Sequence, residues 1–190
     1  MLAYAFAADG MEEVECLMVV DLLRRAGIDI RLVSINGTNS VTSSHRVTIQ
    51  TDLRIEEADF DHADLLFLPG GIPGTPNLAA HPLVCQALKN QNAAGKRIAA
   101  ICAAPTVLGG LGLLEGKIAV CYPGMEDGLV GAITDAQEWN GRKPKVVTVG
   151  NITTSRGLGT AMDLGLELIK LLISPQKAEE IAKKVVYEAY

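Results

Sequence analysis

The sequence reads Arg97-Ile-Ala-Ala-Ile-Cys102-Ala-Ala-Pro105 at a point where a short apolar run leads into a cysteine and then a proline. An apolar run without alternation is typical of a strand buried on both faces. Proline is favoured at the first position of a helix. The stretch therefore predicts a buried strand, a sharp turn that carries Cys102, and a helix, which together are typical of a parallel sheet covered by helices.

Short apolar runs alternate with helical patterns along the rest of the chain, which predicts an α/β fold with a mainly parallel central sheet and helices on both faces. The predicted strands are Leu2–Ala7, Asp29–Ser34, Leu65–Leu68, Arg97–Ala100, Val146–Val149 and Ile152–Thr154. The predicted helices are Glu12–Ala26, Pro82–Asn92, Pro105 to about Leu111, Thr160–Leu172 and Pro175–Ala189.

Two segments interrupt this alternation. Val41–Asp52 alternates polar and apolar residues and predicts a half-exposed hairpin or an excursion at the edge of the sheet. Val120–Lys145 is rich in glycine and polar residues and predicts a long irregular excursion, a kind of segment that is usually functional. Because we find neither a repeat nor a linker, we predict one domain over residues 1–190, with an extra C-terminal helix at about 175–189.

Composition excludes several classes of protein. With 190 residues, 48% of them hydrophobic, the chain can build a full core without disulfides or metal. A net charge of -5 with scattered basic residues argues against nucleic acid as the main partner. The longest uncharged stretch, Ile98–Leu114, contains Pro105 and is shorter than the roughly 20 residues of a membrane span, so no membrane association is expected.

The four cysteines are widely spaced, with no C-x-x-C motif and no Cys/His pair at zinc-ligand spacing. This pattern predicts neither a disulfide framework nor a metal site, and favours reduced thiols in the cytoplasm. Pro69–Gly74 lacks the Gly-Lys-Ser/Thr of a phosphate-binding loop, and Gly157-x-Gly159 lacks the third glycine of a dinucleotide fingerprint. We therefore expect no cofactor.

Cys102 is the first candidate for chemistry, because a thiol between a strand and a helix resembles the elbow that presents the nucleophile in serine hydrolases. A helix N-terminus also lowers the pKa of a thiol. An inert buried cysteine explains the same residue about equally well. Gly70 and Gly71 end another predicted strand and could aim backbone amides at an oxyanion, although an ordinary tight turn is as good an explanation.

A carboxyl group could assist the thiol from the start of the first helix. Glu12 and Glu13 lie in the first turn, where negative charge is favoured. Glu15 and Glu13 each stand at the head of an apolar stripe, so the periodicity does not choose between them as the buried, protonated carboxyl. His45 could line a site on the hairpin, although a solvated loop position explains it better.

Four motifs in this order resemble the ThiJ/PfpI superfamily, and best its branch of the parkinsonism-associated protein deglycase and the YajL-like bacterial proteins. They are Ala8-Asp-Gly-Met-Glu-Glu-Val-Glu15, Asp64-Leu-Leu-Phe-Leu-Pro-Gly-Gly71, Ala99-Ala-Ile-Cys-Ala-Ala-Pro-Thr106 and Thr154-Ser-Arg-Gly-Leu-Gly-Thr160. The resemblance covers nearly the whole chain.

The resemblance implies a flavodoxin-like three-layer sandwich that forms a homodimer. It implies Cys102 as the reactive cysteine and Glu15, rather than Glu13, as the carboxyl that hydrogen-bonds it. Backbone amides of Gly71 and Ala103 match the oxyanion donors of the family, and Arg156 matches the arginine of its Ser-Arg-Gly turn. Members of this branch are credited with glutathione-independent glyoxalase and deglycase activity, and with oxidative-stress sensing.

Three positions depart from the family pattern. Tyr122 stands where several members have a histidine, so a Cys-His dyad is missing and peptidase or amidotransferase-like hydrolysis is not expected. Other members of the branch also carry an aromatic residue there. Leu158 replaces a proline, and His45 replaces an arginine, which changes the charge at the pocket rim.

Two functional hypotheses follow. In the first, Cys102 adds to the aldehyde of methylglyoxal or of an early glycation adduct on an amine or thiol, and Glu15 moves protons, without cofactor or metal. In the second, the protein is a non-enzymatic redox sensor or chaperone that responds to oxidation of Cys102.

Overall fold

The computed structural model describes residues 1–135 and 141–188. Its strands are β1 (Leu2–Ala7), β2 (Asp29–Ser34), β3 (Ser40–Thr42), β4 (Thr48–Gln50), β5 (Leu53–Arg54), β6 (Leu65–Leu68), β7 (Arg97–Ile101), β8 (Val146–Val149) and β9 (Ile152–Ser155). Its α-helices are α1 (Glu13–Arg25), α2 (Gly74–Ala80), α3 (Pro82–Ala93), α4 (Pro105–Gly110), α5 (Ala161–Leu172) and α6 (Pro175–Lys184).

Seven strands form the central sheet in the order β5-β2-β1-β6-β7-β9-β8. All neighbours are parallel except β8, which runs antiparallel to β9 at one edge. The central strands are buried on both faces, and β6 is buried at every position, which explains why these strands are apolar runs without alternation. The predicted α/β class, with a mainly parallel sheet, is confirmed.

Helices cover both faces of the sheet and enclose two apolar cores. Alternate residues of β1 divide between the cores: Ala5 belongs to the one that contains Leu22 and Leu164, and Phe6 belongs to the other. Gly165 permits close packing of α5 on α1, because a Cβ there would lie 2.5 Å from Cδ1 of Leu22. The result is the predicted three-layer sandwich.

The hairpin predicted over Val41–Asp52 consists of β3 and β4, which pair antiparallel outside the main sheet. It is attached to the loop between β1 and α1. The Gly10 N–H donates to the carbonyl oxygen of Thr42 at 2.8 Å, and the Ser44 N–H donates to that of Met11, also at 2.8 Å. The hairpin therefore lies against the segment that starts α1.

Three details differ from the sequence predictions. Helix α2 was not predicted, and it carries Pro76 in its first turn. Helix α6 ends at Lys184, and Val186 just beyond it has a left-handed φ of 56° that a helix does not accommodate. The predicted end, Ala189, lies outside the described residues. The excursion over Val120–Lys145 contains a short 3-10 turn, Glu126–Gly128, and its residues 136–140 are also outside the described part.

In the described ranges, 1–135 and 141–188, the helices are too short or too polar to cross a membrane. The prediction of a single domain over 1–190 stays a prediction.

Candidate active site

The carboxyl ends of the parallel strands meet at one edge of the sheet, and the candidate residues follow these ends. Gly70 and Gly71 come after β6, and Cys102 comes after β7. Arg156 comes directly after β9, and the loop after β1 leads to Glu15 in the first turn of α1. Ligand sites in open α/β sheets are typically found at this edge.

Cys102 occupies the sharp turn between β7 and α4. Its φ of 63° lies in the left-handed region, which L-residues other than glycine rarely adopt. Its N–H donates to the carbonyl oxygen of Ser155 at 3.0 Å, and its own carbonyl oxygen accepts from the Tyr122 N–H at 2.8 Å. These two bonds hold the strained turn and leave the thiol half-buried.

Glu15 is buried, with 1% of its surface exposed, and its carboxyl is hydrogen-bonded to the thiol of Cys102. The Gly70 N–H donates to Oε2 of Glu15 at 3.1 Å, and the backbone of Leu158 supplies another hydrogen bond. The backbone of Glu15 is fixed as well, because its N–H donates to Oε2 of Glu12, the N-cap of α1, at 2.6 Å. The structure thus places Glu15 beside the thiol.

The electrostatics of this pair keep a proton on the thiol and bring the titration of the carboxyl close to neutral pH. Burial raises the pKa of Glu15 to about 7, and the nearby charge of Glu12 acts in the same direction. Burial, followed by the charge of ionised Glu15, raises the pKa of the Cys102 thiol to about 12. The expectation that the helix N-terminus lowers the thiol pKa is therefore wrong while Glu15 is ionised: desolvation and the carboxylate outweigh it.

Two backbone amides, those of Gly71 and Ala103, hydrogen-bond the sulfur and oppose the rise in its pKa. Gly71 has a φ of 93°, and a Cβ there would lie 2.3 Å from the backbone nitrogen of Glu12. Only glycine fits this position, because both the conformation and the space exclude a side chain.

The rim of the site contains Tyr122, which is half exposed, and Gly157. A Cβ built on Gly157 would lie 3.5 Å from the Tyr122 ring and 3.8 Å from Oε1 of Glu15. Arg156 is partly exposed, and its charge opposes the burial that raises the pKa of the Cys121 thiol to about 11. Tyr122 therefore lies at the rim close to Gly157, and Arg156 is the residue that precedes Gly157 in the chain.

His45 contacts a different carboxylate. Its Nδ1 lies 3.1 Å from Oε2 of Glu13 and 3.8 Å from Oε1 of Glu12, and its side chain is largely exposed. The carboxylate of Glu13 raises the pKa of His45. The ligand atoms of this trio lie within 4.8 Å of one another, a spacing that a metal ion could use. The ion pair and the helix cap already account for all three side chains.

The sequence did not indicate three contacts of Glu15: those with the amide of Gly70, the backbone of Leu158 and the cap residue Glu12. Glycine at position 70 was a signal for close approach of backbone. A Cβ there would lie 2.5 Å from Cβ of Cys102 and 2.7 Å from Oε2 of Glu15. Which groups approach position 70 is not visible in any local pattern.

Comparison with known proteins places this geometry in a family. The model of the DJ-1/PfpI family matches residues 1–171. The chain belongs to the DJ-1/PfpI family. This agrees with the resemblance seen in its four motifs, and α6 lies beyond the matched DJ-1/PfpI region.

Relatives in the DJ-1/PfpI family match nearly the whole chain. Protein dj-1beta of Drosophila melanogaster is 38% identical over 181 residues, which cover 95% of this chain and 94% of that protein. The glutathione-independent glyoxalase DJR-1.2 of Caenorhabditis elegans is 30% identical over 175 residues, which cover 90% and 88% of the two chains. Oxidized DJ-1 of Toxoplasma gondii has a similar structure, with a TM-score of 0.89, 32% identity and 99% coverage of both chains. These likenesses confirm the flavodoxin-like fold.

Proposed function

We propose that this protein is a cysteine-dependent, glutathione-independent glyoxalase and deglycase that acts on methylglyoxal and its early glycation adducts. The observation that carries the proposal is the hydrogen bond between the buried Glu15 carboxyl and the Cys102 thiol, at a place where the amides of Gly71 and Ala103 also face the sulfur. A relative that covers most of the chain is named a glutathione-independent glyoxalase.

The first step is addition of the thiol to the aldehyde. Ionised Glu15 accepts the proton of Cys102 while the sulfur forms a bond to the aldehyde carbon. The carbonyl oxygen gains the negative charge, and the amides of Gly71 and Ala103 donate hydrogen bonds to it. A base with a pKa of about 7 is well matched to this work near neutral pH, so the thiol need not ionise beforehand.

The second step moves hydrogen within the adduct. Protonation of the oxyanion by Glu15 gives a hemithioacetal. Glu15 then transfers the proton of the former aldehyde carbon to the neighbouring ketone carbon, and the hydroxyl proton of the hemithioacetal passes to the former ketone oxygen. The former aldehyde carbon is oxidised and the ketone carbon is reduced, so no external oxidant is needed. Water hydrolyses the resulting thioester and releases lactate and the free Cys102 thiol. In an early glycation adduct, a hemiaminal, the Cys102 sulfur forms its bond to the same carbon while the C–N bond breaks, and the amine leaves with the thiol proton passed on by Glu15. The hemithioacetal that remains follows the steps above to lactate.

The test is lactate formation from methylglyoxal without glutathione. We expect turnover with the wild-type protein, none with Cys102→Ala, and most of it lost with Glu15→Gln. Cys85→Ala is the matched control, because it also removes a thiol. Cys85 lies on α3, and its thiol donates a hydrogen bond to the carbonyl oxygen of Ala79. Equal turnover by wild type and Cys102→Ala would overturn the proposal.

A second candidate is redox sensing, with or without chaperone activity. Cys102 is half-buried, whereas Cys16 and Cys121 are almost fully buried, and a relative has been described in an oxidized form. Peroxide would convert the thiol to sulfenic and then sulfinic acid, and protonated Glu15 would donate a hydrogen bond to the product. Peptide mass spectrometry after peroxide titration tests selectivity: oxidation of all four cysteines to the same extent counts against a sensor.

The expected homodimer is also part of the proposal. Val14 and Leu17 on α1 and Val47 beside the hairpin are apolar and 38–47% exposed. A second copy of this chain would cover them. Light scattering after size-exclusion chromatography should give twice the mass of 20.1 kDa, and Leu17→Lys should shift the measured mass toward that of the monomer.

We place the protein in the cytoplasm because its four cysteines are free; imaging of a tagged chain tests this.

A further inference from the structure

A cavity of about 260 Å³ opens between α2, α4 and the loop that follows Tyr122. We call it the apolar cavity. Its lining contains no charged side chain among the described residues, and consists of Ile72, Thr75, Pro76, Ala79, Thr106, Val107, Gly110, Leu111 and Met125. The thiol mechanism uses none of these side chains.

Several residues that line the apolar cavity are next to the groups around the thiol in the chain or are hydrogen-bonded to them. Ile72 follows Gly71, whose amide hydrogen-bonds the sulfur. Thr106 donates from Oγ1 to the carbonyl oxygen of Ala103 at 2.7 Å. The Met125 N–H donates to the carbonyl oxygen of Tyr122 at 3.1 Å, and the Tyr122 N–H donates to the carbonyl oxygen of Cys102. Lining residues from three separate segments are therefore adjacent in the chain, or hydrogen-bonded, to residues that surround the sulfur.

The size and chemistry of the apolar cavity define what fits. An apolar cavity of about 150 Å³ is large enough for benzene, so 260 Å³ accommodates a phenyl group or a chain of five or six carbons. The methyl group of methylglyoxal would leave most of this space unfilled. A charged substituent would find no side chain of opposite charge among the lining residues.

We propose that the apolar cavity binds the substituent of the substrate, so that the preferred substrates are 2-oxoaldehydes that carry an alkyl or aryl group larger than methyl. This inference rests on the proposed function and names its substrate class. Burial of each added methylene contributes about a fourfold gain in kcat/KM until the cavity is full. The products are the corresponding 2-hydroxy acids.

The first experiment compares kcat/KM for methylglyoxal and for 2-oxoaldehydes with propyl and pentyl groups. We expect a rise of at least tenfold across this series. Gly110→Leu and Ala79→Leu fill the cavity from α4 and α2 respectively, and should abolish the rise while methylglyoxal is still converted. Gly110→Ala is the matched control: a Cβ at this position meets no atom within 4 Å, and one methyl group does not fill the cavity.

The second experiment does not depend on turnover. Iodoacetamide and N-hexyl iodoacetamide alkylate Cys102 by forming a C–S bond, releasing iodide and losing the thiol proton to solvent. Mass spectrometry gives the rate ratio of the two reagents at Cys102, relative to their ratio for free cysteine. We expect a ratio of about ten in favour of the hexyl reagent for wild type and Gly110→Ala, and near one for Gly110→Leu and Ala79→Leu.

The two experiments separate the two ideas. If the alkylation ratio favours the hexyl reagent but no 2-oxoaldehyde is converted, the apolar cavity stands as a binding site and the proposed function fails. If methylglyoxal is converted but neither the kcat/KM series nor the alkylation ratio depends on chain length, the inference is overturned. The same holds if the chain-length dependence survives both leucine substitutions.

Discussion

The backbone N–H of Gly70 donates a hydrogen bond to Oε2 of Glu15 at 3.1 Å, across 55 positions of sequence. This bond joins the turn after β6 to the first turn of α1. It also fixes the carboxyl that is bonded to the thiol of Cys102. The position of the Glu15 carboxyl therefore depends on the space that a glycine leaves free.

Replacement of Gly70 by alanine should remove activity while the chain still folds. The new Cβ would lie 2.5 Å from Cβ of Cys102 and 2.7 Å from Oε2 of Glu15, so one of these groups must move. Overpacking of this kind costs about 1–3 kcal/mol, and a misplacement of about 1 Å reduces turnover roughly 100-fold. Methylglyoxal turnover and urea unfolding check the two effects. Gly159→Ala, where a Cβ has open space, should change neither.

Substitution of Glu15 by glutamine should make the protein more stable at pH 8. The ordinary pKa of a glutamate carboxyl is 4.5, and burial raises the pKa of Glu15 to about 7 in the folded protein. Between these values the unfolded state loses the proton first, so this carboxyl lowers stability as the pH rises. Glutamine removes that cost, which we expect to yield about 1–3 kcal/mol at pH 8 and no gain at pH 4.

Urea unfolding of wild type and Glu15→Gln at the two pH values measures this difference. Glu13→Gln is the control, because Glu13 pairs with exposed His45 and its pKa is lowered. It should not gain stability at pH 8. An equal gain for both variants would show that net charge, and not the buried carboxyl, is responsible.

The pH dependence of turnover should report the same carboxyl. Glu15 must be ionised to accept the thiol proton, so kcat/KM for methylglyoxal should rise with pH and reach half its plateau near pH 7. The residual activity of Glu15→Gln should lack this midpoint. A wild-type profile that falls between pH 6 and 8 would instead indicate that protonated Glu15 is the active form.

The variant Cys102→Gly should be more stable to unfolding than Cys102→Ala. The φ of 63° at Cys102 is unfavourable for any L-residue with a Cβ, but not for glycine. Both variants lack the thiol, so their difference isolates the backbone strain. We expect Cys102→Gly to exceed Cys102→Ala by about 1 kcal/mol in the free energy of unfolding. Equal stabilities would mean that the alanine variant relaxes the turn.

Much of the fold could be predicted because local and tertiary requirements agree. Strand β6 is a run of apolar residues because both its faces are buried, and α1 ends near Gly27, which has a φ of 87°. Helix α2 was not predicted, because it is short and contains Gly74 and Pro76, two residue types that are unfavourable in most helix positions. The end of α6 escaped because an apolar residue, Val186, adopts a left-handed φ that nothing in its side chain indicates.

The site was predictable only in part. Cys102 is visible because a strand, a cysteine and an early proline follow each other directly. The choice between Glu13 and Glu15 is not visible in the helical period, because both residues stand at the head of an apolar stripe. It depends on which side of α1 faces the turn after β6, and that is a tertiary contact. The apolar cavity has three walls from separate segments, so no local pattern indicates it.

The thiol, its carboxyl and its amide donors come from the ends of different strands and from the start of a helix. No single segment of the chain holds two of the groups that exchange the proton. The site therefore cannot form in a fragment of the chain or in a sheet that lacks one of these strands. Retained catalytic turnover would consequently report the fraction of molecules in which the whole parallel sheet has formed.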